Sequence, residues 1–190
     1  GYTATTLPRS PLRIPFVSYT RGKELLLRWT ELCAFTAVFR THDGNQPDRN
    51  VQIDHDDETL NQFARFARLY AALAPYRRHL FEEAAARGYP VVRHLWLHAP
   101  EDTVARDNWD QLLLGPDLLL APVLDPGKDR RQVYLPAGQW VHLWTGATHG
   151  DSERGVHEEI SCPIGEPAAF YRADSDYAEI FANAASEARG

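Results

Sequence analysis

The sequence changes its periodicity once, near Tyr89-Pro90, and this limits the chain to folds with a helical part followed by a β part. Upstream, apolar residues recur at three- and four-residue steps, the spacing of one helix face. Lys23 to Thr36 carries such a stripe in Leu25, Leu26, Trp29, Leu32, Cys33 and Thr36. Ala37-Val38-Phe39 reads as a short buried strand, closed by the polar run Arg40-Thr41-His42-Asp43-Gly44-Asn45-Gln46-Pro47. A second helix is predicted from about Asp56, with Leu60, Phe63, Ala67, Tyr70 and Ala74 on one face. Asp56, Asp57 and Glu58 put negative charge where the first-turn N–H groups are unpaired. Pro75 lacks a backbone donor and breaks the run. A third helix then passes through Leu80, Phe81 and Ala84, with Arg87 in its last turn and Gly88 as a left-handed cap.

Downstream, runs of strand length alternate with Pro and Gly. Val91 to Leu97, Gln111 to Leu114, Leu118 to Leu124, Gln132 to Leu135, Gln139 to Trp144 and Ala168 to Arg172 are the candidates. Gly115-Pro116-Asp117, Asp125-Pro126-Gly127 and Pro136-Ala137-Gly138 are turns. Short strands so punctuated point to an antiparallel β-sandwich. The stretch before Gly22, with Pro8, Pro11 and Pro15, reads as a long loop. The expected division is 1–89 and 90–190.

Composition excludes several classes. With 44% apolar and 24% charged residues the chain is of the folded, globular kind. The net charge of −6 argues against nucleic acid and anionic membrane as partners. No apolar run approaches the ~20 residues of a membrane helix, and the first residues carry no signal-peptide pattern. Cys33 and Cys162 match no metal or redox spacing, which favours free thiols in a reducing compartment over one disulfide. The chain contains no methionine and opens on Gly1-Tyr2, as a piece of something longer would.

Few residues suggest chemistry. His94 and His98, four apart on a predicted strand, would sit about 13 Å apart at ~3.3 Å per residue, too far to share an ion. His142, His149 and His157 have no ligand cluster at metal spacing, so neither metal nor cofactor is expected. The run Asp54-His55-Asp56-Asp57-Glu58 could pair carboxylates but is placed for helix capping. There is no phosphate loop and no nucleophile elbow. His42 differs: it follows the predicted helix–strand pair in a loop with Arg40, Asp43 and Asn45, polar groups of the kind that hydrogen-bond sugar hydroxyls. Trp140 and Trp144 fall at strand positions where core packing is the simpler role.

Several blocks, in order and spacing, resemble glycoside hydrolase family 31, the α-glucosidase and α-xylosidase family. Lys23-Glu24-Leu25-Leu26-Leu27-Arg28-Trp29, Ala34-Phe35-Thr36 and Arg40-Thr41-His42-Asp43-Gly44-Asn45 are similar to the close of its (β/α)8 TIM barrel. Asp110 to Val123, Val133-Tyr134-Leu135-Pro136, Trp140 and Trp144-Thr145-Gly146 are similar to its proximal C-terminal β-domain. Within the family, Arg40-Thr41-His42, where α-glucosidases tend to carry Arg-Asn-His, looks like the bacterial sulfoquinovosidase form, with Asp43 in place of a more usual Glu. Pro167 to Ser175 is also similar to the C-terminus of those enzymes, whereas Thr5 to Ser18 is longer than the corresponding loop.

The resemblance implies the end of a TIM barrel followed by an antiparallel β-sandwich, and a retaining hydrolase of α-glycosides. That mechanism needs two carboxyls about 5–5.5 Å apart; in this family both come earlier than the point where this chain begins, so none of the catalytic pair is expected here. Carried over to this chain are substrate contacts: His42 to sugar hydroxyls and Tyr2, through a water, to a substrate sulfonate. The expected partner is a small-molecule glycoside. Family 31 enzymes of neutral sugars and a non-catalytic sugar-binding β-module are the competing readings. The helical part is expected to expose apolar surface along its Leu25–Trp29 and Phe63–Tyr70 stripes.

Overall fold

A computed structural model describes residues 20–44 and 46–189. Three helices come first: α1 (Lys23–Ala34), α2 (Asp57–Ala72) and α3 (Ala74–Arg87). Asp56 caps α2, its carboxylate accepting from Thr59 N at 2.8 Å, a contact of about 1 kcal/mol. Pro75 does interrupt the run: α2 ends at Ala72 with Leu73 as its cap, and the proline lies in the first turn of α3, where its missing N–H costs nothing. Gly88, at φ 78°, closes α3 as expected.

The helices are where the periodicity put them, but their buried faces are rotated. On α1 the buried residues are Leu26, Leu27, Arg28, Thr30, Glu31, Cys33 and Ala34, while Trp29 is half exposed. On α2, Thr59, Phe66 and Leu69 are buried and Leu60 is exposed; on α3, Tyr76, Arg77 and Leu80 are buried and Phe81 is exposed. These helices carry more apolar residues than one contact surface can take, so stripe counting alone could not select the inner one.

The β part holds β1 (Val92–Arg93), β2 (Leu112–Leu114), β3 (Leu118–Ala121), β4 (Arg130–Leu135), β5 (Trp140–His142), β6 (Thr148–His149), β7 (Val156–Ser161) and β8 (Ala168–Arg172). A short helix α4 (Thr103–Asp107) follows β1, and α5 (Ala178–Arg189) follows β8. One antiparallel sheet has the order β1-β2-β3-β8-β5-β6; β4 and β7 form a second. Pro136-Ala137-Gly138 therefore carries the chain between sheets. The central strands are buried on both faces, with period-two alternation. Leu118 and Leu120 of β3 and Ala169 and Tyr171 of β8 face a core shared with Phe66, Leu69, Tyr76, Leu80 and Phe181. Leu119, Ala121, Ala168 and Phe170 face the other way, onto Val133, Leu135 and Ile160 of the second sheet. The result is an antiparallel sandwich with helices on its outer face, and no closed barrel among the described residues.

Two predicted strands fail. Ala37-Val38-Phe39 forms no ladder: among the described residues no strand runs beside it, and Val38 is 62% exposed. It is held by side chains instead, Phe39 stacking on Phe63 and Tyr70 with ring centres 5.1 and 5.4 Å apart, and Tyr70 Oη donating to Ala37 O. Val91 to Leu97 pairs only at Val92 and Arg93, then turns into a 3-10 helix over Leu95–Leu97 because His94 Nδ1 accepts from Trp96 N at 3.1 Å. Strand propensity yields there to a local side-chain acceptor.

A buried ion pair joins the two parts. Arg28 Nη1 contacts Glu31 Oε2 at 3.0 Å, with both side chains almost fully enclosed. Arg28 Nη2 donates to Lys128 O and Cys162 O, and Nη1 to Pro163 O. Glu31 Oε1 accepts from Gly165 N at 2.6 Å. Burial pushes the Glu31 carboxyl up, and Arg28 and that N–H pull it back. Glu31→Ala leaves a buried, unpaired guanidinium and is expected to lower stability by about 3–5 kcal/mol, read as a fall in urea midpoint at unchanged slope.

His142 supplies a pH dependence. Its Nδ1 accepts from Thr145 N, so the neutral ring carries its proton on Nε2, which is buried without a partner among the described residues. Burial, reinforced by neighbouring His149 and opposed by Glu166, lowers its pKa to about 4. An unfolded histidine titrates near ~6.5, so between those values the unfolded chain binds more protons. Stability is level above pH ~6.5 and falls by up to about 3 kcal/mol as pH drops toward 4. In His142→Asn that part of the stability–pH curve should flatten.

Candidate functional site

His42 lies in the connection between α1 and α2, and a single arginine shapes that connection. Arg21 Nη1 donates to His42 O at 2.6 Å, Nε and Nη2 to Val51 O at 3.0 and 2.8 Å, and Nη2 to Gln52 Oε1 at 2.8 Å. Its own N–H donates to Asn50 Oδ1, and its carbonyl accepts from Val51 N. Asn50 Nδ2 and Gln52 Nε2 both donate to Asp43 O, at 2.9 and 3.3 Å. The base of the loop is closed by Lys23, which joins the start of α1 to Asp56 at 2.8 Å and also contacts Glu58, at the start of α2.

The histidine ring is oriented by its own loop. Gly44 N donates to His42 Nδ1 at 2.9 Å, which leaves the neutral ring's proton on Nε2. Only glycine serves at 44: φ is 78°, and an added Cβ would lie 2.6 Å from Asn50 Nδ2. His42 is exposed, so the loop presents an N–H donor to solvent from a fixed imidazole. Such a group binds and orients a hydroxyl; with Nδ1 occupied it is not arranged as a general base.

Tyr2 and Asn45, the other residues singled out with this loop, lie outside the described residues. Arg40 and Asp43 are exposed beside His42. The acidic run acts in capping: Asp56 is held well below the usual carboxylate range by Lys23 and by the Thr59 N–H and hydroxyl. His94 and His98 are not on a strand; His94 caps the 3-10 helix, and His98 Nε2 meets Arg93 Nη1 at 3.0 Å. Cys33 and Cys162 are buried free thiols, and burial raises Cys33 to about 11. Trp140 and Trp144 are core residues, their indole N–H groups donating to Pro136 O and Pro167 O. Arg21, the residue that organises the loop, was missed, because a lone arginine before a helix carries no periodic signal.

The described residues thus form an antiparallel sandwich backed by helices, preceded by a loop that presents a fixed imidazole. The model of the family 31 TIM-barrel domain of glycosyl hydrolases matches residues 15–80, and that of the family 31 C-terminal domain matches 88–175. The chain belongs to glycoside hydrolase family 31. It is 48% identical to the sulfoquinovosidase of Agrobacterium fabrum and 44% to that of Escherichia coli, over 85% and 86% of its length. It spans 24% of each of those relatives. A family 31 sulfoquinovosidase from E. rectale, solved with an aza-sugar inhibitor, superimposes over 91% of this chain and 25% of its own, with TM-score 0.85 and 42% identity. An α-xylosidase from a soil metagenome, solved with xylose, matches over 84% of this chain and 26% of its own, with TM-score 0.74 and 25% identity.

Arg21→Ala removes the contacts that gather His42, Val51 and Gln52. The expected result is rapid protease cleavage within 40–52 at an almost unchanged melting temperature, followed by mass spectrometry of the fragments.

Proposed function

We propose that this chain is the C-terminal part of a retaining α-glycosidase that hydrolyses α-sulfoquinovosides. Residues 1–89 close its catalytic barrel, and 90–190 form the β-sandwich domain beside it. The observation that carries the reading is the 42–48% identity to three sulfoquinovosidases across nearly the whole chain. The Arg40-Thr41-His42 loop, with its ring held by Gly44, supports it from the site.

In this reading the nucleophilic and the proton-donating carboxyls are supplied by polypeptide preceding Gly1. The pair works across an oxocarbenium-like transition state. What these residues add is positioning. His42 Nε2–H donates to a hydroxyl of the sugar undergoing cleavage, and because its ring is fixed beforehand, little conformational freedom is lost on binding. Tyr2 acts at the sulfonate end through a water. The substrate is a small glycoside, and the enzyme works in the bacterial cytoplasm.

The test compares two polypeptides on aryl α-sulfoquinovoside and aryl α-glucoside. The 190-residue chain should hydrolyse neither. The same chain continued upstream through its reading frame should prefer the sulfoquinovoside; preference for the glucoside would favour a family 31 enzyme of neutral sugars. In that longer protein His42→Ala should lower kcat/KM by about 10- to 100-fold, the equivalent of ~1.5–3 kcal/mol for one hydrogen bond in the transition state. Unchanged kcat/KM would remove His42 from the site.

A further inference from the structure

The most exposed large apolar side chain among the described residues is Trp109, at 82%. It is flanked by Asn108 and Asp110, just after α4, and borders a groove of about 470 Å³ between α4 and the β4–β7 sheet. That volume is within the range of small-ligand sites, ~300–1,000 Å³. Thr103, Asp107, Asn108, Gln132 and His157 also line it.

The groove has a rigid floor. Gln111 is buried and bridges β4 through both ends of its amide, Nε2 to Tyr134 O and Oε1 from Tyr134 N, each at 2.8 Å. Asp102 caps α4 through Val104 N and Ala105 N and accepts from Tyr134 Oη. Asp110 is held by Arg131 at 2.9 Å. His157 rests against the Tyr134 ring, centre to centre 4.9 Å. Asn108 donates to Gln111 Oε1, while its Oδ1 has no partner among the described residues. Turning toward a ligand hydroxyl would give that amide oxygen its hydrogen bond.

We propose that this groove is a binding site for neutral pyranosides, with Trp109 as the stacking platform. One face of a pyranose is a patch of polarised C–H groups, which suits the electron-rich face of an indole. Its rim of hydroxyls suits the mixed donors and acceptors of Thr103, Asn108, Gln132 and His157. No lysine or arginine lines the groove, and the carboxylates at its edge, Asp107 and Asp110, are already paired with Arg106 and Arg131 at 3.0 and 2.9 Å, so a sulfonated or phosphorylated sugar finds no counter-charge there. The site is argued from these residues alone and does not rest on the hydrolase reading.

The test titrates the 190-residue chain with maltotriose, and with glucose 6-sulfate as the anionic control, by tryptophan fluorescence and calorimetry. Saturable millimolar binding of maltotriose is expected, with glucose 6-sulfate weaker. Trp109→Ala should weaken maltotriose by about tenfold, and Trp109→Phe by less. Melting temperatures should stay level, because the side chain packs against little. Binding unchanged in Trp109→Ala, tighter binding of glucose 6-sulfate, or no saturation by about 50 mM would overturn the proposal. So would self-association of the chain that disappears in Trp109→Ala without any response to sugar, which would assign the indole to a protein contact.

Discussion

Arg28 is the hinge point of the molecule. A guanidinium taken out of water is costly unless its donors are answered. Here Nη1 and Nη2 are answered by Glu31 one turn along the helix and by three carbonyls of the β part, at Lys128, Cys162 and Pro163, while Nε has no partner among the described residues. Since those carbonyls lie 100 or more residues away, α1 has one acceptable position against the sandwich. Glu31 then reaches Gly165, whose φ of 93° and close neighbours Gln62 and Arg65 seat the same loop against α2. The joint is polar, enclosed and geometrically demanding, so it specifies orientation, whereas apolar contact alone would tolerate sliding.

The position of His42 follows from that joint. With α1 placed, Lys23 brings in the start of α2 through Asp56, and Arg21 gathers the intervening loop around two backbone carbonyls. The imidazole is thus at the end of a chain of constraints: sandwich to α1, α1 to α2, helices to loop, loop to ring. A loop without regular structure can hold a functional group steadily when charged side chains answer its backbone carbonyls and amides.

Much of the fold was legible in the residues. The change at 89–90, the three helices, the break at Pro75, the cap at Gly88 and the hairpin around Gly115 all follow from period and turn chemistry. The misses have specific causes. Ala37-Val38-Phe39 has strand composition but no neighbour to ladder with. His94 diverts its strand into a 3-10 turn. Strands β6 and β7 carry too little apolar alternation to stand out, and α5, rich in alanine, lacks a strong stripe. At the site, His42 could be singled out by its setting, but Arg21 could not, because its role is to answer carbonyls up to 30 residues away.

The order of elements, the turns, the caps and the family itself were written in the linear sequence, because each rests on near neighbours or on motifs of a few residues. Which face of each helix is buried, which strands share a sheet, and how the His42 ring is aimed were decided only in three dimensions. Those outcomes depend on contacts between residues far apart in the chain, and a local pattern of apolar and polar residues carries no record of which distant group will arrive opposite it.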